Sequence, residues 1–261
     1  MQNINDIVGL ANERKFLIDS DCVFYHFAWS GKDKLSDLDI DYQLKNVDYS
    51  LNAFKVAEKM NCAKFIFVGS MEELFAKEYL KLDFKKDSFY NRHVIYALSK
   101  LLARKALKII SKNKNISLIC TTNSHVMGIF DDKDSFLQVT LEKIIKNEEL
   151  VFSTGEQIFD VISVKDCANA YKLIGEKGIK SREYWVGSGA PKPLKEYIKI
   201  MCNLYKVKKE LKFGQFPYND ISLKKSDFSI NNLSQDTAFK PTISYEDSVK
   251  ELFNFLKMSY R

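Results

Sequence analysis

Tyr96 and Lys100 stand four residues apart in Tyr96-Ala97-Leu98-Ser99-Lys100, a spacing that puts both side chains on one face of a helix. A phenol ionises near pH ~10, too high for a base at neutral pH. A neighbouring ammonium favours the phenolate and lowers that value. Ser70 closes the apolar run Lys64-Phe65-Ile66-Phe67-Val68-Gly69-Ser70, so its hydroxyl belongs at the end of a strand. A serine there can hold a substrate oxygen between itself and Tyr96. The chemistry open to such a trio is proton transfer at an alcohol or ketone, coupled to hydride transfer. Tyr-x-x-x-Lys alone is a weak signal, and Tyr205-Lys206-Val207-Lys208-Lys209 repeats it with no strand-end serine before it. The first pair differs in its context: strand, serine, loop, helix with Tyr and Lys, strand.

Those side chains need a framework, and strand-like and helix-like stretches alternate along the chain. Cys22–Ala28 is a short apolar run of β-formers. A helical stripe follows over about Leu44–Met60, with Val47, Leu51, Phe54, Val56 and Ala57 facing inward. Phe65–Val68 reads as a second strand, about His93–Ser111 as a long helix and Ile116–Cys120 as a third strand. Continuous apolar strands separated by helices predict a parallel sheet covered on both faces, an α/β doubly wound fold. The second half is less regular. Helices are expected over Phe136–Ile145, about Lys165–Gly175 and about Tyr245–Met258, with strands at Asp160–Val164 and Tyr184–Gly187.

Composition narrows the class. The 261 residues are 46% hydrophobic and 28% charged, ordinary for a globular chain with a sizeable core. The net charge of +6 is spread among both signs, and Lys-rich patches such as Lys206–Lys209 are short. They read as solvated faces, which argues against nucleic acid as a partner, while the balance suits an anionic substrate. The five cysteines are odd in number and lack close pairs, which reads as free thiols in a reducing compartment and predicts a cytoplasmic location. No metal-ligand spacing surrounds His26. No apolar run of about 18 residues marks a membrane span, and no long apolar stretch near Met1 marks a secretory signal.

Several motifs in order give the chain a wider resemblance. Val23-Phe24-Tyr25-His26-Phe27-Ala28 resembles a "VxHxAA" strand end, Phe67-Val68-Gly69-Ser70 a strand bearing Ser or Thr, and Tyr96-x-x-Ser99-Lys100 a "YxxSK" helix. Asn123 matches "RxxNxxG", with Gly128 displaced, and Gly155 through Asp160, Val164 and Asp166 matches "GxxxRDxxxVxD". Tyr184-Trp185-Val186-Gly187-Ser188-Gly189 matches "YNxGxG" and Phe239-Lys240-Pro241 matches "GWxP". From about Asp19 to Phe255 the chain thus resembles the extended short-chain dehydrogenases/reductases, the NAD-dependent epimerase/dehydratase family acting on sugar nucleotides. The resemblance implies a Rossmann-like cofactor domain, residues 1–123 with about 160–188. A smaller C-terminal α/β substrate lobe would then take about 124–159 with 189–261. It implies Ser70, Tyr96 and Lys100 as catalytic residues. His26, Ala28, Asn46, Tyr96 and Lys100 would hold NAD or NADP, and Trp29, Glu72, Asn123 and His125 would meet a nucleoside-diphosphate sugar. Phe65–Glu73 resembles the "FIGxGSxxEY" variant of bacterial surface-polysaccharide enzymes. Family members often pair through two helices per subunit, so a homodimer is implied.

The sequence also departs from the family. The expected "GxxGxxG" turn of an opening βαβ unit is missing: only Gly9 precedes Gly31. The chain is then a truncated product, or a partner supplies that part, or no dinucleotide is bound. Phe159 stands in place of an Arg, and Pro217-Tyr218-Asn219-Asp220 lacks the Arg of "PxRxxD"; both would clamp phosphate. Met71 replaces the acid of the family's dehydratases, so epimerisation or ketone reduction is expected ahead of dehydration. Glu72 and Glu73 read equally as solvent-facing loop residues, and His125 as a loop histidine without a role. Two other readings stay open: a non-catalytic remnant serving as a binding or assembly module, and a reductase of a simpler carbonyl compound.

Overall fold

The structure, a computed structural model, describes residues 21–31, 40–81, 83, 93–130, 135–216 and 222–259. The opening segment with Gly9 and the segment Pro217–Asp220 lie outside the described residues. In chain order the first half runs β1 (Val23–His26), α1 (Ile40–Lys59), β2 (Lys64–Ser70), α2 (Glu72–Tyr79), α3 (Val94–Ile110) and β3 (Ser117–Asn123). Then come β4 (His125–Met127), α4 (Phe136–Ile145), β5 (Ile158–Phe159), β6 (Val161–Ser163), α5 (Val164–Lys177) and β7 (Glu183–Val186). Finally, β8 (Lys192–Pro193), α6 (Leu194–Leu204), a 3₁₀ turn (Lys225–Phe228), α7 (Asn231–Thr237) and α8 (Tyr245–Ser259) complete the chain.

The chain divides into two compact units. The first comprises Met1–Asn123 and Leu173–Tyr184, the second Ser124–Lys172 and Trp185–Arg261. The main sheet has the order β1-β2-β3-β7, with β1, β2 and β3 parallel. Side chains alternate across it, as the period of a strand requires. Phe65 and Phe67 of β2 and Leu118 and Cys120 of β3 turn to α1 and α3, where Val47, Phe54, Ala57, Ala103 and Leu107 close a core. On the opposite face the last turns of α5 press on the sheet. A Cβ added at Gly175 would fall 1.8 Å from the Tyr25 hydroxyl, so only glycine lets helix and strand approach this closely. Lys64 caps that helix end, donating from Nζ to Gly175 O at 2.7 Å. The parallel sheet is thus covered on both faces, as expected of an α/β doubly wound fold.

The second unit pairs β4 with β6 in parallel and β5 with β8 in antiparallel. Its core joins Leu137 and Leu141 of α4, Tyr197, Ile198 and Met201 of α6, and Val249, Leu252 and Leu256 of α8. The sequence reading put about 160–188 in the cofactor domain, but β6 pairs with β4, which carries 160–172 into the second unit. Two acids of the 155–166 motif tie its backbone. Buried Asp160 accepts from Ser124 Oγ at 2.5 Å and from Ser188 N at 3.0 Å. Asp166 accepts from Thr242 N, Thr242 Oγ1 and Ile243 N at 2.8–3.0 Å. All five cysteines are free thiols. Among the described residues no helix is long and apolar enough to cross a membrane, and no His, Cys, Asp and Glu group has the makings of a metal site.

Candidate active site

The end of β2 is built around Gly69. A Cβ there would lie 2.1 Å from Arg104 Nη2, 2.3 Å from Glu73 Oε1 and 2.5 Å from Thr121 O, so glycine alone lets an ion pair press against the strand. Glu73 accepts from Ser70 N at 2.8 Å and from Arg104 Nε at 2.5 Å. Arg104 Nη2 also donates to Thr121 O at 2.6 Å and Thr122 Oγ1 at 3.1 Å. The loop reading of Glu72 and Glu73 is corrected here. Both open α2, where carboxylates favour a helix N-terminus, and Glu73 is buried against arginine.

Helix α3 faces this strand end with Tyr96, Lys100 and Arg104, each four residues apart. The Tyr96 phenol lies beside the Ser70 side chain, which favours its ionised form. Lys100 Nζ donates to Val68 O at 2.9 Å and sits 4.1 Å from the centre of the Trp29 ring. The three side chains expected to share one chemistry are therefore brought together. Burial pushes the Tyr96 phenol up to about 12; the neighbouring Ser70 hydroxyl opposes this, and Glu72 and Glu73 add to it. Burial lowers Lys100 to about 7, Glu73 working against the shift and Arg104 with it. Glu72 meets His93 Nδ1 at 3.2 Å and the Tyr79 hydroxyl at 3.3 Å, and the His93 ring stands edge-on to Tyr96.

The residues after β1 are held from α1. Asn46 accepts from Ser30 N at 2.8 Å and donates to Ser30 O at 2.9 Å, pinning the loop. Gln43 Oε1 accepts from Trp29 Nε1 at 2.8 Å, and Trp29 meets Tyr96 edge-on at 6.0 Å. Ala28 is exposed. His26 is buried on Phe65 and Phe67, and its Nε2 lies 2.9 Å from Ser50 Oγ. Ser50 spends its one hydrogen on Asn46 O, so His26 must donate, which fixes the neutral Nε2–H form. Asn123 ends β3 in register with Ser70. His125 lies in the second unit against Phe159, 5.5 Å between ring centres.

His26 gives a prediction. Burial, then the Lys100 charge, lowers it from 6.5 to about 4. Above pH 6.5 folded and unfolded chains both hold it neutral. Below that the unfolded chain takes the proton first, so stability falls between pH 6.5 and about 4 by about 3 kcal/mol. Urea unfolding of the parent and of His26→Gln across this range should give curves that diverge towards acid. Parallel curves would mean His26 is not the titrating group.

Glu73, Arg104, Gln43 and His93 were not singled out as partners in the sequence. The repeat of four from Tyr96 through Lys100 to Arg104 is the one signal pointing to Arg104. The donor set fits an oxygen-rich ligand such as a dinucleotide ribose. Lys100 is a buried amine donor, and the amide Nε2 of Gln43, 1% exposed, has no hydrogen-bond partner. Trp29 is the exception to the fit, since its ring covers Lys100.

Residues 6–187 match the model of the NAD dependent epimerase/dehydratase family. A CDP-abequose synthase of Salmonella typhimurium is 29% identical over 178 residues, 66% of this chain and 59% of its own length. A dTDP-glucose 4,6-dehydratase of Haemophilus influenzae is 23% identical over 122 residues, 46% of this chain and 36% of that one. The chain thus spans less than two thirds of these relatives. Among solved structures, a UDP-glucose 4-epimerase of Thermotoga maritima with UDP-glucose aligns at TM-score 0.76 and 17% identity. That alignment covers 100% of this chain and 84% of the other. At that identity the likeness speaks for the fold. Motif order, fold and family match converge: this chain belongs to the NAD dependent epimerase/dehydratase family.

Proposed function

We propose that the chain modifies a nucleoside-diphosphate sugar, as an NAD- or NADP-dependent epimerase or keto-reductase of surface-polysaccharide biosynthesis in the cytoplasm. The observation that carries this reading is the placing of Tyr96 beside Ser70 at the end of β2, with Lys100 one helical turn on. Ser70 holds the sugar oxygen, Tyr96 exchanges a proton with it, and Lys100 tunes the phenol. The dinucleotide, when bound, supplies or accepts the hydride. A phenol kept protonated at neutral pH favours ketone reduction, in which Tyr96 gives its proton to the oxygen that becomes a hydroxyl. Trp29, Glu72, Asn123 and His125 are proposed substrate contacts. The nucleotide-sugar names of the relatives support the substrate class. Exposed Tyr42 and Tyr49 on α1 and Leu102 and Ile109 on α3 support a homodimer through these helices.

Calorimetry with NAD(H), NADP(H) and CDP-, UDP- and dTDP-hexoses tests the reading, followed by turnover of the matching 4-keto sugar. Micromolar binding of one dinucleotide and one nucleotide sugar is expected. A folded chain that binds neither would sink the enzyme reading and leave a binding or assembly module.

A further inference from the structure

Ser70 is held at both its backbone and its side chain. Its N–H donates to Glu73 Oε1 at 2.8 Å, and its Oγ accepts from Glu72 N at 3.3 Å. The first contact fixes where the residue stands. The second takes a lone pair of the hydroxyl and leaves its hydrogen to donate elsewhere. Glu73 is held in turn. Its Oε2 accepts from Arg104 Nε at 2.5 Å and its Oε1 from Arg104 Nη2 at 3.1 Å, the forked contact of a planar guanidinium with a carboxylate. Arg104 is anchored beyond the pair, on β3 through Thr121 O and Thr122 Oγ1 and on β7 through Glu183, which Lys108 also meets at 2.5 Å. Side-chain exposure falls along this chain of charges from 51% at Glu183 to 5% at Glu73, so its inner end is dry. A buried ion pair is a poor source of stability, because apolar side chains of the same volume serve as well. What it supplies here is geometry at the strand end.

We infer that Glu73, clamped by Arg104, is the positioning residue of the reacting group: its reach sets the strand-end backbone and with it the Ser70 hydroxyl, and its charge faces Lys100. The inference deepens the proposed function and rests on Ser70, Tyr96 and Lys100 being the reacting residues. Glu73 itself acts through the Ser70 N–H. Reach matters because a displacement of about 1 Å at a reacting group can cost roughly 10²-fold in rate. Charge matters because Glu73 holds Lys100 up against the lowering effect of burial. Lys100 is also faced by His26 from β1 and by Tyr96 and Arg104 along α3, while β2 gives it the Val68 carbonyl. Of these groups Glu73 is the one that touches both Ser70 and the guanidinium.

Two variants separate reach from charge. Glu73→Asp keeps the charge and shortens the side chain by one methylene, so the carboxylate cannot span Ser70 N and Arg104 together. Its kcat for reduction of a 4-keto CDP-, UDP- or dTDP-hexose by NADH or NADPH should fall by roughly tenfold or more, with KM within about twofold. Glu73→Gln keeps the length and loses the charge. Lys100 should then titrate below the parent midpoint of about 7, read from its Cε signal in carbon NMR, which Lys100→Met identifies by removing it. Lys100 works as the ammonium, so activity is lost as pH rises through its midpoint. The alkaline limb of kcat/KM should move to lower pH in Glu73→Gln and stay in place in Glu73→Asp. Rates are taken per folded molecule from urea unfolding, so a loss of stability alone changes neither reading. If Glu73→Asp does not fold, Arg104→Lys, which keeps the charge and loses the fork, takes its place. An unchanged kcat in the shortened variant, or a Lys100 midpoint unmoved in Glu73→Gln, overturns the positioning role and leaves the enzyme reading intact. A parent that reduces none of these sugars with either dinucleotide overturns both.

Discussion

Tyr96→Phe is expected to lower turnover by about 10²- to 10⁴-fold, the span that a positioned proton donor contributes. Ligand affinity should stay within roughly threefold and the fold should survive, since a single hydroxyl's polar contact is worth about 1 kcal/mol net. The Ser70 side chain lies beside the phenol, and Ser70 Oγ keeps its contact with Glu72 N at 3.3 Å when the phenol is gone. The ring still fills its place against Trp29 and His93. What the variant loses is a proton held at neutral pH by burial, at the one point where serine, tyrosine and strand end meet. Reduction of a 4-keto nucleotide sugar by parent and variant, with affinity measured alongside, checks this. A variant that turns over within threefold of the parent would remove Tyr96 from the chemistry.

The parts of this site that were legible in the sequence are those written locally. Phe65–Val68 is apolar without interruption because both faces of β2 are covered, and Tyr96 and Lys100 are four apart because they share a turn of α3. The hidden parts are contacts between distant positions. Glu73 and Arg104 are 31 residues apart and each reads alone as a solvated charge. Charged side chains are rarely buried unless paired, and the pairing is visible only once α2 and α3 are packed. Helix α6 was also missed. Pro191 and Pro193 precede it, and its inward stripe of Leu194, Tyr197, Ile198 and Met201 is short. Trp29 was expected from the resemblance to meet the substrate, but nothing local told that its ring would lie on Lys100.

The Glu73–Arg104 pair carries the largest expected effect on stability. Arg104→Met should cost about 3–5 kcal/mol in urea unfolding, because it strands a buried carboxylate that cannot reach water. The loss is steeper than for a surface pair, whose worth is about 0–1 kcal/mol. Side-chain exposure is 7% for Arg104 and 5% for Glu73. Glu73→Gln leaves the guanidinium with Thr121 O, Thr122 Oγ1 and, at 3.3 Å, Glu183, so its cost should be smaller. The double variant Glu73→Gln/Arg104→Met should fall short of the summed single losses, since the second change removes a charge the first had orphaned. The pair also bears on chemistry, for Glu73 grips the Ser70 backbone N–H at the site's edge. Single and double variants that lose under about 1 kcal/mol, with additive losses, would show the pair to be solvated and its hold on Ser70 incidental.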